Sequence, residues 1–363
     1  MNLSWWITLI ALLISFSGLF LLIFIPTPQK HKVSHYPSLS IIIPARNEEK
    51  RIPTLLSAIN QAYPFHVEWI VVDDHSSDAT GAIARSFGVK VISAPSLPQG
   101  WLGKPWACYQ GAKAAQGNVL MFLDADTRLR PHGLTRLMQT FLQTSTPMSV
   151  QPYHEMKKGY EQFSLFFNLI VMMTTGLFTP FQQKLKSASF FGPCQIISKE
   201  DYWSIDGHAS GKSAILEDIA IGKALQEKTK KHIRAIGGKG TIHFRMYEEG
   251  YSSLIEGWSK NFSTGASLMP TWILVLVSLW ITGMFVLILS GFAPFMWENG
   301  AYLFGYFVGG LLTFLMARKI GSFSIVSIVT YPIQLIFFVG VFIFSSQKRK
   351  KKNVRWKGRD IDL

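Results

Sequence analysis

NVLMFLDAD, residues 118–126, decides the reading of this chain: the apolar run VLMFL leads without alternation into two carboxylates separated by an alanine. A short unbroken apolar run marks a strand buried on both faces, as in a parallel sheet covered by helices. Asp124 and Asp126 are expected on the same side of an extended segment at that strand's end. Burying two acids there needs a reason. An oxygen-ligand site for Mg2+ or Mn2+ bridging a diphosphate supplies one; helix or turn capping is the alternative.

The same pattern recurs outward from this stretch. LSIII (39–43) predicts a buried strand, followed by Pro44 and a polar turn into a helix from about Glu48. VEWIVVDD (67–74) predicts a second strand, with HSSD capping the helix that follows, and VKVIS (89–93) a third. GKPWACYQGAKAAQG (103–117) reads as a helix ended by glycine. Strand and helix in alternation predict an α/β fold with a mostly parallel sheet. Ligands of such sheets bind beyond the carboxyl ends of the strands, so PARNEE, DDHSSD and DADT should meet in one crevice. Asp73 and Asp74 are suited to base N–H or ribose hydroxyls, or to capping their turn. Lys104, in GWLGKPWA, is either a phosphate contact or a solvated lysine. Glu217 and Asp218 open a helix, where the dipole favours acids; the functional alternative is a general base. Neither G-x-G-x-x-G nor G-x-x-x-x-G-K-[ST] occurs, which leaves dinucleotide and P-loop readings without support.

Around this segment the composition changes. Of 363 residues 48% are hydrophobic and only 16% charged, against about a quarter charged in soluble domains. Residues 1–29 carry no charge, and 5–25 are long enough to cross a bilayer. No basic start or small-residue cleavage site marks a signal peptide. Lys30 and Lys32 follow, which places the next segment in the cytoplasm by the positive-inside rule. Three more apolar runs follow, 271–293, 301–317 and 323–344, and the phase is odd: if all cross, the cluster 348–352 falls outside. Either 301–317, with Gly309-Gly310, or 323–344, interrupted by Pro332, fails to cross. A shorter run, 163–178 with Asn168 inside, predicts a buried or interfacial helix. The net charge of +14 is not a nucleic-acid signature, because residues 347–363 hold eight Lys/Arg against two Asp directly after an apolar run. That placement suits anionic lipid headgroups. Cys108 and Cys194 are too few for a disulfide framework or a four-cysteine zinc site.

PARNEE, DDHSSDAT, GKPWACYQGAK, DAD and LED, in that order, resemble the family 2 glycosyltransferases with the GT-A fold. The resemblance implies a GT-A (Rossmann-like, mostly parallel sheet) cytoplasmic domain over 38–265 in a multi-pass plasma-membrane protein. An anchor at 1–29, membrane helices over 271–344 and a basic cytoplasmic tail at 345–363 complete the expected organisation. It implies a UDP-sugar donor, glucose in particular, and inversion at the anomeric carbon. Pro44, Ala45, Arg46 and Glu48 would line the nucleotide site, Asp73 or Asp74 the uracil–ribose end. Asp124 would meet ribose or metal, Asp126 the metal, and Asp218 would be the base. SVQPYH (149–154), residues 244–266 and the terminal WKGR are similar to members acting in C30 carotenoid (staphyloxanthin-type) biosynthesis, which implies a carotenoid acid as acceptor. Other lipids, such as a hopanoid, glycerolipid or polyprenyl phosphate, are the alternative acceptors; a non-catalytic scaffold has no use for clustered acids. Polymer-forming members carry Gln-x-x-Arg-Trp where this chain reads EGWSKN (256–261), which argues against a polysaccharide synthase. Trp258 is then expected over the acceptor and Lys260 at the diphosphate, with a packed interfacial helix as the alternative.

Overall fold

The computed structural model describes residues 2–181, 190–214, 216–267, 269–298, 300–350, 354–356 and 359–361, with side chains of 260–267, 298 and 348–361 excepted. They form two compact units: 26–154 with 186–245, and 1–25 with 155–185 and 246–363.

The first unit is built on ten strands: β1 (Leu39–Ala45), β2 (Val67–Asp73), β3 (Lys90–Ser93), β4 (Val119–Leu123), β5 (Thr127–Leu129), β6 (Met148–Gln151), β7 (Tyr153–His154), β8 (Cys194–Ser198), β9 (Arg234–Gly237) and β10 (Ile242–Phe244). Seven form one sheet in the order β3-β2-β1-β4-β8-β6-β9, and β5-β10-β7 form a second. The four strands expected from apolar runs are present and mutually parallel. Both faces are dry. Ile41, Ile43, Val71, Met121 and Leu123 pack on one side against Leu134, Leu137 and Met138. Ile42, Ile70, Val72, Leu120 and Phe122 pack on the other against Ala107, Cys108 and Ala112. The strict two-residue alternation of these sets is the pleat expressed in packing. Ser40, buried in β1, is satisfied: its hydroxyl donates to Glu68 at 2.5 Å and accepts from Gly117 N–H at 2.8 Å.

Strand β8 runs antiparallel to both neighbours, β4 and β6. This inverted strand sets Cys194 beside Leu123, so residues 192–194 arrive at the carboxyl edge of the sheet. Asp124 N–H donates to the Pro193 carbonyl there, at 3.0 Å.

Among the described residues, the second unit contains three helices long and apolar enough to cross a membrane, Leu3–Leu22, Thr271–Phe292 and Ala301–Ile320. Small residues let them approach, the usual device where lipid competes with protein for apolar contact. A Cβ on Gly18 would fall 2.5 Å from the Trp280 ring, and one on Gly283 would strike Ser15. Lys319 Nζ donates to the Ile23 carbonyl at 2.9 Å, satisfying the open end of the first helix. Run 323–344 is not one helix: it breaks at Thr330 into Ile325–Val329 and Tyr331–Lys350. Run 163–178 contains a ten-residue helix, Leu165–Thr174, that is buried along nearly its whole length.

The helix Gly103–Ala114 seats on β1 through Gly111, where a Cβ would lie 2.4 Å from Ile42 Cγ2. Gly111→Val is expected to cost about 2–3 kcal/mol by overpacking. Thermal unfolding of the full chain in detergent should show it, with Lys113→Val, on the exposed side of the same helix, as the near-neutral control.

Candidate active site

The loops leaving β1 and β2 are stitched together. Arg46 Nη1 donates to the Asp74 carbonyl at 2.9 Å and lies 3.7 Å from its carboxylate. Glu48 N–H donates to Thr80 Oγ1 at 2.7 Å, Glu49 N–H to Asp78 at 3.2 Å, and Ser77 N–H to Asn47 Oδ1 at 2.8 Å. Asn47 adopts φ 55°, in the left-handed region that asparagine tolerates. Pro44 and Ala45 are the last residues of β1, beyond its last pairing with β4 at Ile42–Phe122. Asp73 serves its own turn, accepting from Ser76 N–H at 2.9 Å. Asp74 is buried beside Arg46. Polar groups from two strand ends are thereby held in one fixed frame.

The acidic triplet differs from the expected extended segment. β4 stops at Leu123, and the chain turns before entering the second sheet as β5. Thr127 closes this turn, donating to the Asp124 carbonyl from its N–H at 3.1 Å and its hydroxyl at 2.7 Å. Asp124 and Asp126 remain neighbours, brought together by a turn rather than by strand alternation. Burial, reinforced by the charge of Asp124, raises the Asp126 carboxyl to about 7, against the pull of Arg51. Its Oδ1 is buried without a hydrogen-bond partner among the described residues.

Lys104, in the first turn of Gly103–Ala114, reaches into the same place. Its ammonium lies 2.8 Å from Asp124 Oδ1 and 3.6 Å from Glu217 Oε1. Burial works to discharge it, but Asp124 and Glu217 prevail and hold its pKa well above the ordinary lysine value. Asp218 adjoins: burial first, then the charge of Glu217, lifts its carboxyl to about 7. Both acids open the helix Glu217–Thr229, as expected, and Asp218 Oδ1 accepts from Ile219 N–H at 3.0 Å.

Three participants had escaped the reading of the sequence. Arg51 bonds Glu48 at 3.1 Å and adds positive charge beside Asp126. His208 is buried and held neutral, its pKa pushed down to about 3 by burial and by Lys104. Its Nδ1 meets the Tyr202 hydroxyl at 2.9 Å. Gly207, at φ 55°, allows that approach; a Cβ there would fall 2.3 Å from the Tyr202 ring. The turn that follows packs Gly211 against Glu217 and accepts from Leu102 N–H through the Lys212 carbonyl at 2.9 Å. It braces the starts of both helices that carry the charged groups. Gly192 is the third. The G-H and F-F-G-P segments lay in plain view, but nothing in their spacing announced a role.

Trp258, in the second unit, is a packed residue. Its ring stacks on Phe167 at 4.8 Å, meets Tyr247 edge-on at 5.6 Å, and donates to Ser164 Oγ at 3.0 Å. Lys260 belongs to the helix Tyr251–Ser267, and its side chain lies outside the described residues.

Comparison with known proteins bears directly on this site. Residues 40–206, which hold β1, the acidic triplet and Gly192, match the family described as Glycosyl transferase family 2. A 4,4'-diaponeurosporenoate glycosyltransferase of Staphylococcus haemolyticus (strain JCSC1435) is 36% identical over 336 residues, 90% of this chain and 89% of the relative. The chain belongs to glycosyl transferase family 2. The enzyme of the same name from Staphylococcus aureus (strain MRSA252) is 37% identical over 344 residues, 91% of this chain and 89% of the relative. A mannosyltransferase of Pyrobaculum calidifontis, solved with GDP-Man and Mn2+, shares the fold. Its TM-score is 0.53 at 15% identity, over 93% of this chain and 99% of that one. The transferase therefore has a mixed, mostly parallel GT-A-like sheet, and the expected α/β class holds.

The raised Asp126 carboxyl has a consequence for stability. The folded chain keeps a proton that the unfolded chain releases near the ordinary value of 3.8, so metal-free stability falls as pH rises from about 4 through 7. Asp126→Asn removes that loss. It should be about 1–2 kcal/mol more stable than the native chain at pH 8 in EDTA, and no more stable at pH 4, by thermal unfolding.

Proposed function

We propose that this transferase moves glucose from UDP-glucose, with inversion, onto the carboxylate of a C30 carotenoid acid such as 4,4'-diaponeurosporenoate, at the cytoplasmic face of the plasma membrane. The observation that carries the reading is near end-to-end similarity, at 36–37% identity, to enzymes of that name, joined to the cluster of Asp124, Asp126, Lys104 and Asp218.

Asp126 and Asp124 fit a divalent cation, Mg2+ or Mn2+. One carboxylate oxygen is buried without a partner, and mutual repulsion of the two acids is what a cation would relieve. Among the described residues no group of three or more His, Cys, Asp or Glu could hold a metal ion by itself. Such a site would be completed by donor phosphates and water, as is usual for Mg2+. Bound there, the cation would neutralise charge on the leaving diphosphate.

The chain's own residues supply the rest. Pro44, Ala45, Arg46 and Glu48 line the nucleotide side, with Asp74, through Arg46, fixing the loop and Asp73 its turn. Lys104 lies where it can leave Asp124 for a phosphate oxygen, placing a fixed positive charge where negative charge develops. Asp218 is suited to take the proton of an alcohol. A carboxylic acceptor is already ionised at neutral pH, so Asp218 would instead keep its own proton and share it, avoiding like-charge repulsion.

The membrane arrangement follows from charge. If Leu3–Leu22, Thr271–Phe292 and Ala301–Ile320 each cross, then Lys30, Lys32, Arg318, Lys319 and the cluster 348–352 all fall on one side, the cytoplasmic one. The broken run 323–344 is then the one that does not cross. The basic tail would meet anionic headgroups, at about 1 kcal/mol per residue near the surface. A polyene acceptor dissolved in the bilayer would reach the enzyme laterally.

Purified membranes given UDP-glucose, Mn2+ and a panel of lipid acceptors, followed by mass analysis, should yield the glucosyl ester of the carotenoid acid. With that acid, Asp218→Asn should keep activity within about tenfold, and native activity should fall as pH rises above 7. With an alcohol acceptor the same variant should lose about 10²–10⁴-fold and native activity should rise with pH. A ten-thousandfold loss with the acid, donor binding intact, would reject the carboxylate assignment.

A further inference from the structure

We propose that the first unit has a lipid-docking face, on which Lys30, Lys32, Arg130, Arg136 and Lys239 meet the anionic headgroups of the bilayer. The proposal rests on the membrane reading above, and this face is separate from the basic tail. Three segments of the unit, 26–36, 127–154 and 232–245, hold eight Lys/Arg and no Asp or Glu. All fourteen acids of the unit lie elsewhere in it. A merely solvated surface intersperses both signs of charge. Segregation on this scale suits a partner that is itself negative.

The fold gathers these segments. β10 pairs with β5 on one side and β7 on the other, and Arg130 N–H donates to the Thr241 carbonyl at 2.8 Å. The helix Gly133–Thr144 begins against that same carbonyl, which a Cβ on Gly133 would strike. Arg136, on this helix, has Nη1 3.9 Å from where a Cβ on Gly240 would stand. The first segment lies along the helix as well. Gln29 N–H donates to Thr140 Oγ1 at 3.1 Å and His31 N–H to Gln139 Oε1 at 3.4 Å. The Pro26 carbonyl accepts from Gly237 N–H, at the end of β9, at 2.8 Å. Lys239 occupies the turn from β9 to β10, its Nζ 5.6 Å from the centre of the Tyr153 ring. Lys30, Lys32, Arg130 and Lys239 are exposed and Arg136 is half-buried.

Chain continuity selects lipid among the negative partners. Only residues 23–25 separate Pro26 from Leu3–Leu22, which is long and apolar enough to cross a bilayer. Four Cα steps reach at most about 14 Å, so Pro26, and the surface bonded to it, stays within reach of the headgroup layer. The chain leaves this unit at His154, in β7, and at Arg245, just after β10. Two strands of the small sheet therefore end where the chain passes to the membrane-crossing part. Each basic residue close to an anionic surface is worth about fivefold in affinity, and salt screens that gain.

The test places a fluorophore at Pro131→Cys, on an exposed residue beside Arg130; Cys108 and Cys194 are buried and do not compete for the label. The full chain is reconstituted in phosphatidylcholine vesicles with or without phosphatidylglycerol, and quenching by nitroxide carried on lipid headgroups is measured. Quenching should rise with phosphatidylglycerol and fall back at about 1 M salt, where the screening length is about 3 Å. A label at Glu227→Cys, exposed on the helix Glu217–Thr229, should show neither change. Arg130→Gln, Arg136→Gln and Lys239→Gln together should lower the ratio of docked to undocked unit about a hundredfold. Lys30 and Lys32 stay native because they orient the first helix. Glutamine throughout 348–352 should leave the quenching as it is. Equal quenching in the two lipids, no quenching in either, or loss in the tail variant but not in the triple variant would overturn the proposal. If the triple variant no longer binds UDP with Mn2+, the lipid and salt arms on the labelled native-charge chain decide alone. Retention of the native chain in alkaline-washed vesicles is read separately, and its release would reject the membrane reading and the docking face together. Lipid-dependent quenching without glucosyl transfer would keep the docking face and reject the acceptor.

Discussion

The site depends on keeping a half-buried ammonium charged. Lys104 lies where burial alone would discharge it, and the acids on either side, Asp124 and Glu217, reverse that tendency. The three groups come from three structural levels: the end of a strand, the first turn of one helix and the first residue of another. Each is stable in its position only because the others are present, since an unpaired charge in such surroundings is costly. The rest of the catalytic unit can be understood as what brings these three segments to one place.

Two devices do this. The parallel half of the sheet delivers the ends of β1, β2 and β4 to one edge, and the bonds between the 46–49 and 74–80 loops fix that edge before any ligand arrives. The inverted strand β8 brings Gly192 and Pro193 to the same edge from the opposite direction. Its continuation leads through Tyr202, Gly207 and His208 to the turn that steadies Glu217. Electrostatic frustration is local: Asp126 and Asp218 both carry protons at pH values where surface acids do not. Such displaced titrations cluster where charge is to be moved during a reaction.

Much of this was legible in the sequence. The apolar runs gave the parallel strands because a strand buried on both faces cannot hide its composition, and the carboxylates at their ends marked the edge where the charged groups gather. Lys104 and Glu217 were legible as candidates, although their meeting was not, since no local pattern encodes a contact between residues 104 and 217. The antiparallel β8 was missed because CQIIS is too short to declare a direction. The turn at Asp124–Asp126 was missed because a D-x-D triplet looks alike on a strand and in a bend. Membrane topology was legible only as a parity problem, and the break at Thr330 was not legible in the apolar run that contains it.

The second unit is assembled from the two ends of the chain. The first helix, Leu3–Leu22, has its small-residue face filled by Trp280 and Gly283 and its last carbonyls bonded by Lys319. During synthesis those partners follow some 250 residues later, after both segments of the other unit, 26–154 and 186–245, have been made. The small-residue face of this helix is therefore without its partners until they have been made. Packing of the second unit thus depends on its later helices, and the first helix is among the last to find its place.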